Sequence, residues 1–145
     1  MRNITKFLVV VLFLTGIAFS ASSQCKSFVK KNCLLEIEPY VYDGQLNSAI
    51  LTEGDVAELL LTLYAGQDYR ILVCAQEILG NVEFNMYDTN RNLIFANKDH
   101  DYITHWDLSS NTTQQLIVQV IVPKQETNAE MLHNGCVAIL KGFKE

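Results

Sequence analysis

Two imidazoles and three carboxylates fall within nine residues, Asp99-His100-Asp101-Tyr102 and then His105-Trp106-Asp107. Carboxylates mixed with histidine suit zinc or another transition metal, because calcium takes oxygen ligands alone. If 103–107 is a strand, His105 and Asp107 share one face and Thr104 and Trp106 the other. Chelation by His105 and Asp107 is then geometrically feasible. A plainer account is a polar connection ahead of an edge strand, with Trp106 plugging the core, and no residue is assigned to a metal. Asp99, His100, Asp101, Tyr102, His105, Trp106 and Asp107 are kept as candidate ligand-binding residues. Tyr102 and Trp106 could offer an aromatic face to a sugar or peptide.

Other spacings carry less. Asp88, Asn90 and Asn92 match the first three ligand positions of a calcium loop, with Asp99 at the twelfth. Leu93, however, stands where the sharp-turn glycine belongs. A β-turn capped by Asp and Asn side chains explains the same residues. No G-x-S-x-G, H-E-x-x-H or phosphate-cradling glycine loop occurs, and no nucleophile has a partner set. No catalytic residue and no cofactor is assigned.

The elements that must position these residues alternate with a period of two. Val82, Phe84 and Met86 oppose Glu83 and Asn85. Ala57, Leu59, Leu61 and Leu63 oppose Glu58, Leu60, Thr62 and Tyr64. Leu116, Val118, Val120 and Val122 oppose Gln115, Ile117, Gln119 and Ile121. Each run reads as a strand with one apolar face. In Tyr69–Gln76, Cys74 shares a face with Arg70, Leu72 and Gln76. That face is the outer one, where another segment can cover it. Turn residues recur at Asp43-Gly44, Gly54, Gly66, Gly80-Asn81, Asp88–Asn92 and Ser109–Asn111, a spacing that suits an antiparallel sandwich or barrel. A helix is expected at Lys26–Asn32 and briefly near Glu126–His133, with the final strand at Gly135–Phe143. The prediction is an all-β fold: an antiparallel β-sandwich, jelly-roll-like, of about eight strands. A short N-terminal helical or irregular segment, Cys25–Asn47, packs over an edge or face.

At the N-terminus, Arg2 and Lys6 precede an apolar run from Phe7 to Phe19, and small residues follow at Ser20–Ser23. This is the pattern of a secretory signal peptide, residues 1–23, and it is too short to span a bilayer. Gln24 and Ser22 stand where lipid attachment at Cys25 would need other residues. Cleavage after Ser23 leaves 122 of 145 residues, 24–145, as one domain. It takes 11 basic residues to 9 against 16 acidic ones, a net charge of −7. Such a chain repels phosphate backbones, so nucleic acid is excluded as a partner. Four cysteines in an exported chain, Cys25, Cys33, Cys74 and Cys136, read as two disulfides. Of the three connectivities, Cys25–Cys33 with Cys74–Cys136 pairs a local clip with a long-range staple, and it is the one favoured here. Loop closure is worth about 2.6 kcal/mol for the short loop and about 4.3 kcal/mol for the long one.

Gly66-Gln67-Asp68-Tyr69-Arg70-Ile71, the hairpin Val82–Phe95 and the strand Thr112–Val118 resemble the jelly-roll sandwiches of pre-peptidase C-terminal and GOLD-like domains. Pro39–Gln45, Gly66–Arg70 and the closing Gly135–Lys144 resemble a family of small exported proteins of Bacteroidetes-type bacteria. That resemblance supports fold and compartment and supplies no site. It implies a secreted or periplasmic, non-catalytic binding or accessory protein that recognises a protein or polysaccharide at the cell envelope. The alternatives are a structural or assembly subunit of the envelope, using an exposed strand edge, and a metal-dependent hydrolase built on His100, His105 and nearby aspartates.

Overall fold

The computed structural model describes residues 20–125 and 131–144, with side chains from Gln24 onward. Most of the expected signal peptide (1–19) and part of the expected Glu126–His133 helix (126–130) lie outside the described residues. Among the described residues nine strands form: β1 (Val41–Tyr42), β2 (Asn47–Thr52), β3 (Val56–Leu63), β4 (Gln67–Ala75), β5 (Glu83–Asp88), β6 (Leu93–Ala96), β7 (His105–Ser110), β8 (Gln114–Ile121) and β9 (Asn134–Phe143). One sheet runs β1-β9-β4-β7, with β2 also on β9; the other runs β3-β8-β5-β6. Every pairing is antiparallel. Strands β2 to β9 step from one sheet to the other, except for the β5–β6 hairpin within the second sheet, in the wrap of a jelly roll, with the short β1 added. The expected all-β sandwich is what forms.

The alternation read from the sequence sets both faces. Leu61, Leu63, Ile71, Val73, Phe84, Met86, Leu116, Val118, Val120 and Val137 meet between the sheets as the core. Leu72, Cys74, Ala138 and Leu140 point out of the first sheet and are nevertheless buried, by a second cluster of Val29, Cys33 and Ile37. These come from a π-helical turn (Val29–Cys33) and a 3-10 turn (Leu34–Ile37) that continue helix α1 (Ser20–Phe28). The N-terminal segment thus covers a sheet face, as expected.

The favoured disulfide pairing is wrong. Cys25 bonds Cys136 and Cys33 bonds Cys74, with Cα–Cα separations of 5.4 and 5.8 Å. The reason is helical rise. Cys33 lies eight helical steps after Cys25, about 12 Å along an axis at roughly 1.5 Å per residue. A disulfide needs Cα atoms within about 7 Å. The two cysteines therefore point down from one helical segment onto separate strands, one of them the outward-facing Cys74. Cys25 is consumed in its disulfide. Bonds of this kind persist in oxidising compartments, so the chain is an exported protein, periplasmic or secreted. Among the described residues no helix is long and apolar enough to cross a membrane.

Arg70 fastens the same segment. Its Nε and Nη2 donate to the Asp107 carboxylate at 2.7 and 2.8 Å, and Nη1 donates to the carbonyls of Glu36 and Glu38. The guanidinium also lies 4.9 Å from the Tyr40 ring centroid. Gly142 of β9 lets the segment come close. A Cβ there would stand 2.8 Å from Tyr40 Cβ and 2.9 Å from Ile37 Cγ1.

Candidate functional site

The residues from 99 to 107 do not converge. Asn97–His100 is a single 3-10 turn, and Asp101 and Tyr102 follow with left-handed φ of 53° and 56°. Asp99, His100, Asp101 and Tyr102 are exposed on this turn. Asn97 anchors it, although nothing in the sequence pattern marked that residue. Fully buried, Asn97 accepts from the Phe84 N–H at 2.9 Å and donates to the carbonyls of Val82 and Ile103. His100 stacks on Phe95 and Phe95 on Trp106, with centroids 5.1 and 4.9 Å apart. Trp106 is half-buried at the rim of the core, opposite Ile71 in the β4–β7 ladder.

His105 and Asp107 do share the outer face, but Asp107 is taken. The Arg70 guanidinium beside it holds its carboxyl below the usual aspartate range, and Asp107 raises Arg70 in turn. A metal at this point would have to displace a bidentate ion pair. Among the described residues no group of three His, Cys, Asp or Glu side chains is placed to hold a metal ion. Asp88 likewise serves its own turn. Its Oδ1 accepts from the N–H groups of Asn90 and Asn92, and Oδ2 from the Asn92 side chain. The Asn92 bonds hold its carboxyl below the ordinary value.

A different place draws attention: the side of the sandwich where β2 and β3 are both edge strands. Between them lies a mostly apolar cleft of about 340 Å³, lined by Leu46, Ala49, Leu51, Ala57, Leu59, Val120, Val137 and Ile139 together with the polar Asn47, Ser48 and Glu58. The cleft therefore opens onto the core itself.

Backbone polarity of the two edges follows from the ladder. In an antiparallel pair, both polar groups of one residue face the partner strand and those of the next face away. The Asp55 carbonyl accepts from Val122 N–H beside β8, and Glu53 N–H donates to the His133 carbonyl beside β9. Odd residues thus face inward on both edges. Ser48 and Ile50 of β2, and Val56, Glu58 and Leu60 of β3, turn their N–H and C=O groups outward. Thr52 and Thr62 do the same but are capped. Asp55 Oδ2 accepts from Thr52 N–H at 2.7 Å, and Lys141 Nζ donates to the Thr62 carbonyl at 3.2 Å. A window of unpaired backbone remains between these two caps.

Guard features that usually blunt an edge are missing from this window. β3 holds no lysine and no proline, and its single charge is Glu58. That charge is already met by Arg91, whose Nη1 and Nη2 donate to the carboxylate at 2.6 and 2.9 Å. Arg91 holds the Glu58 carboxyl below its usual range. Outward-facing Val56 and Leu60 are 56% and 53% exposed. Leu60 begins an apolar row across the outer face of the second sheet, continuing through Ile117, Tyr87 and Leu93 in register.

No protein-family model and no curated protein matches the chain. Among solved structures it is similar to Aeromonas hydrophila PliG, a periplasmic lysozyme inhibitor of g-type lysozyme. The likeness has a TM-score of 0.49 at 15% identity, and covers 74% of this chain and 90% of that chain.

Proposed function

We propose that this exported chain is a non-catalytic binding protein that holds an extended segment of a partner protein at the β3 edge. The observation that carries this reading is the unpaired backbone of Val56, Glu58 and Leu60 standing beside an apolar cleft. An incoming strand would complete the ladder with main-chain hydrogen bonds, and its alternate side chains would enter the cleft. Those side chains would cover Ala57, Leu59, Ala49 and Leu51. The others would join the row that starts at Leu60. Affinity from backbone bonds and specificity from side-chain pockets is the usual division of labour in strand addition.

Amide hydrogen exchange of the oxidised protein tests it, with extended peptides of alternating apolar residues and a g-type lysozyme among the proteins tried. Binding should slow exchange at Glu58 and Leu60 above all. Leu60→Pro removes one outward N–H that the β3–β8 ladder does not use, so the fold should survive while binding falls at least about tenfold. Protection elsewhere, or full binding by Leu60→Pro, would refute the reading. Self-association through β3 without any added partner would instead favour the envelope assembly subunit.

A further inference from the structure

A second, polar pocket lies at the end of the sandwich beyond the Thr62 cap. Its volume is about 340 Å³, and Asp43, Gln45, Tyr64, Gln67, Tyr69, Lys141 and Phe143 line it. The floor is an ion pair. Lys141 points inward from β9, its Nζ 3.3 Å from Asp43 Oδ2, and both side chains are only 12% exposed. Taking two charges out of water costs several kcal/mol per ion, and apolar side chains of the same size usually serve a fold as well or better. The pair therefore invites a second role beyond tying down the turn at Gly44.

The groups around it have spare hydrogen-bonding capacity. Lys141 donates one N–H to the Thr62 carbonyl and makes no hydrogen bond to Asp43, whose Oδ2 is buried without a hydrogen-bond partner among the described residues. Its other two N–H groups have no acceptor in hydrogen-bond geometry among the described residues. The Tyr69 hydroxyl accepts from the Tyr64 N–H at 2.8 Å, which leaves its own hydrogen free. Gln67 donates to the Lys144 carbonyl, and its Oε1 remains an open acceptor. The Gln45 backbone N–H donates to Asp43 Oδ1 at 2.9 Å, and its side-chain amide has no partner among the described residues. Beside these stand two apolar surfaces, half-buried Phe143 and a Tyr64 that is 63% exposed. Donors and acceptors are thus interspersed, with an aromatic ring at the rim.

Charge narrows the ligand. Asp43 neutralises the ammonium, and the chain carries a net charge of −5, so an anion gains little here. A hydroxyl both donates and accepts, and a pyranose ring has an apolar face that an aromatic side chain can cover. We infer that this pocket binds a neutral saccharide ring, seated against Tyr64 with hydroxyls on Lys141, Tyr69, Gln45 and Gln67. The site is separate from the β3 edge and does not depend on strand addition.

Protein-observed NMR titration with methyl glycosides of glucose, galactose and N-acetylglucosamine, up to tens of millimolar, is the test. Glucuronate serves as the anionic control. Shifts should concentrate at Asp43–Gln45, Tyr64–Gln67 and Lys141 for at least one neutral sugar, and glucuronate should bind more weakly. Tyr64→Ala should weaken binding about tenfold or more. The double variant Asp43→Asn/Lys141→Met should do the same without leaving one buried charge alone. Leu60→Pro should bind the sugar unchanged, which separates this site from the edge. Absence of shifts with every neutral sugar, shifts centred elsewhere, or undiminished binding by Tyr64→Ala would overturn the inference.

Discussion

Gly142→Ala is the sharpest probe of how the N-terminal segment seats on the first sheet. The new Cβ would meet Tyr40 Cβ at 2.8 Å and the Ile37 side chain at 2.9 and 3.3 Å. Carbon atoms prefer about 3.5–4.0 Å, so each neighbour must retreat by roughly half an ångström or more. Ile37 is buried in one cluster with Leu72 and Leu140. Tyr40 is held by the Arg70 guanidinium over its ring. Overpacking at a well-filled site costs about 1–3 kcal/mol, and both contacts are tight, so about 2–3 kcal/mol is expected. For a domain of this size that lowers the melting midpoint by roughly 10 °C. Urea unfolding of the oxidised protein measures it, with an unchanged m-value as the sign that only stability moved. The cycle with Ile37→Ala adds a check. Truncating Ile37 removes two of the close contacts, so Gly142→Ala should cost about 1 kcal/mol less in that background. A cost below about 0.5 kcal/mol in the parent, or additive effects in the cycle, would mean that the segment does not lie on β9 as described.

Three further outcomes follow from the same packing. Replacing Cys33 and Cys74 by Ala opens a loop of sequence separation 41 and should cost about 4 kcal/mol; replacing Cys25 and Cys136 opens one of 111 and should cost nearly 5 kcal/mol, both read by denaturant unfolding. Asn97→Ala should cost about 2–3 kcal/mol, because it leaves the buried Phe84 N–H without its acceptor and frees the 97–103 turn; fast amide exchange at Phe84 should accompany the loss. The carboxyls of Glu53, Glu58, Asp88 and Asp107 are all held low, by hydrogen bonds from His133, Arg91, Asn92 and Arg70 respectively. Groups with lowered folded pKa add stability above their unfolded values, near 4, and lose it as the pH falls through the folded ones. The melting midpoint should therefore hold between pH 7 and 5 and fall below about 4.5, and Arg70→Met should shrink that fall.

Faces were more legible in the sequence than partners. Period-two alternation in β3, β5 and the run through β8 put Leu61, Leu63, Phe84, Met86, Leu116, Val118, Val120 and Val122 in the core, since a side chain's face depends only on its parity along the strand. The same parity put Cys74 outside with Leu72, which is why a covering segment was anticipated. Which cysteine would reach it was not legible. That depends on the N-terminal segment being one continuous helical run, and Val29–Asn32 carries no distinctive cap or period of its own. The acid and histidine cluster misled for a related reason. Strand spacing shows that His105 and Asp107 share a face but not that Arg70 stands opposite Asp107 in the next strand. The open β3 edge left a trace in its unguarded sequence. Seeing it as an edge required the sheet order, which arises from contacts far apart in the chain. Gly142 did carry a local signal, a glycine inside a strand, which often marks close backbone approach.

The nested disulfides have a consequence for biosynthesis. Cys25 and Cys33 reach an oxidant first if the chain emerges from its N-terminus, while the proper partner of Cys25 arrives 111 residues later. An oxidant that joins thiols in order of appearance would make the wrong bond first, and only thiolate attack on that bond could undo it. Wherever the 25–33 segment is wound as in the native fold, its rise holds the two sulfurs too far apart to bond. The helical turn that looks like packing material for a finished sandwich is thus also a geometry in which Cys25 and Cys33 can bond only to β9 and β4, never to each other.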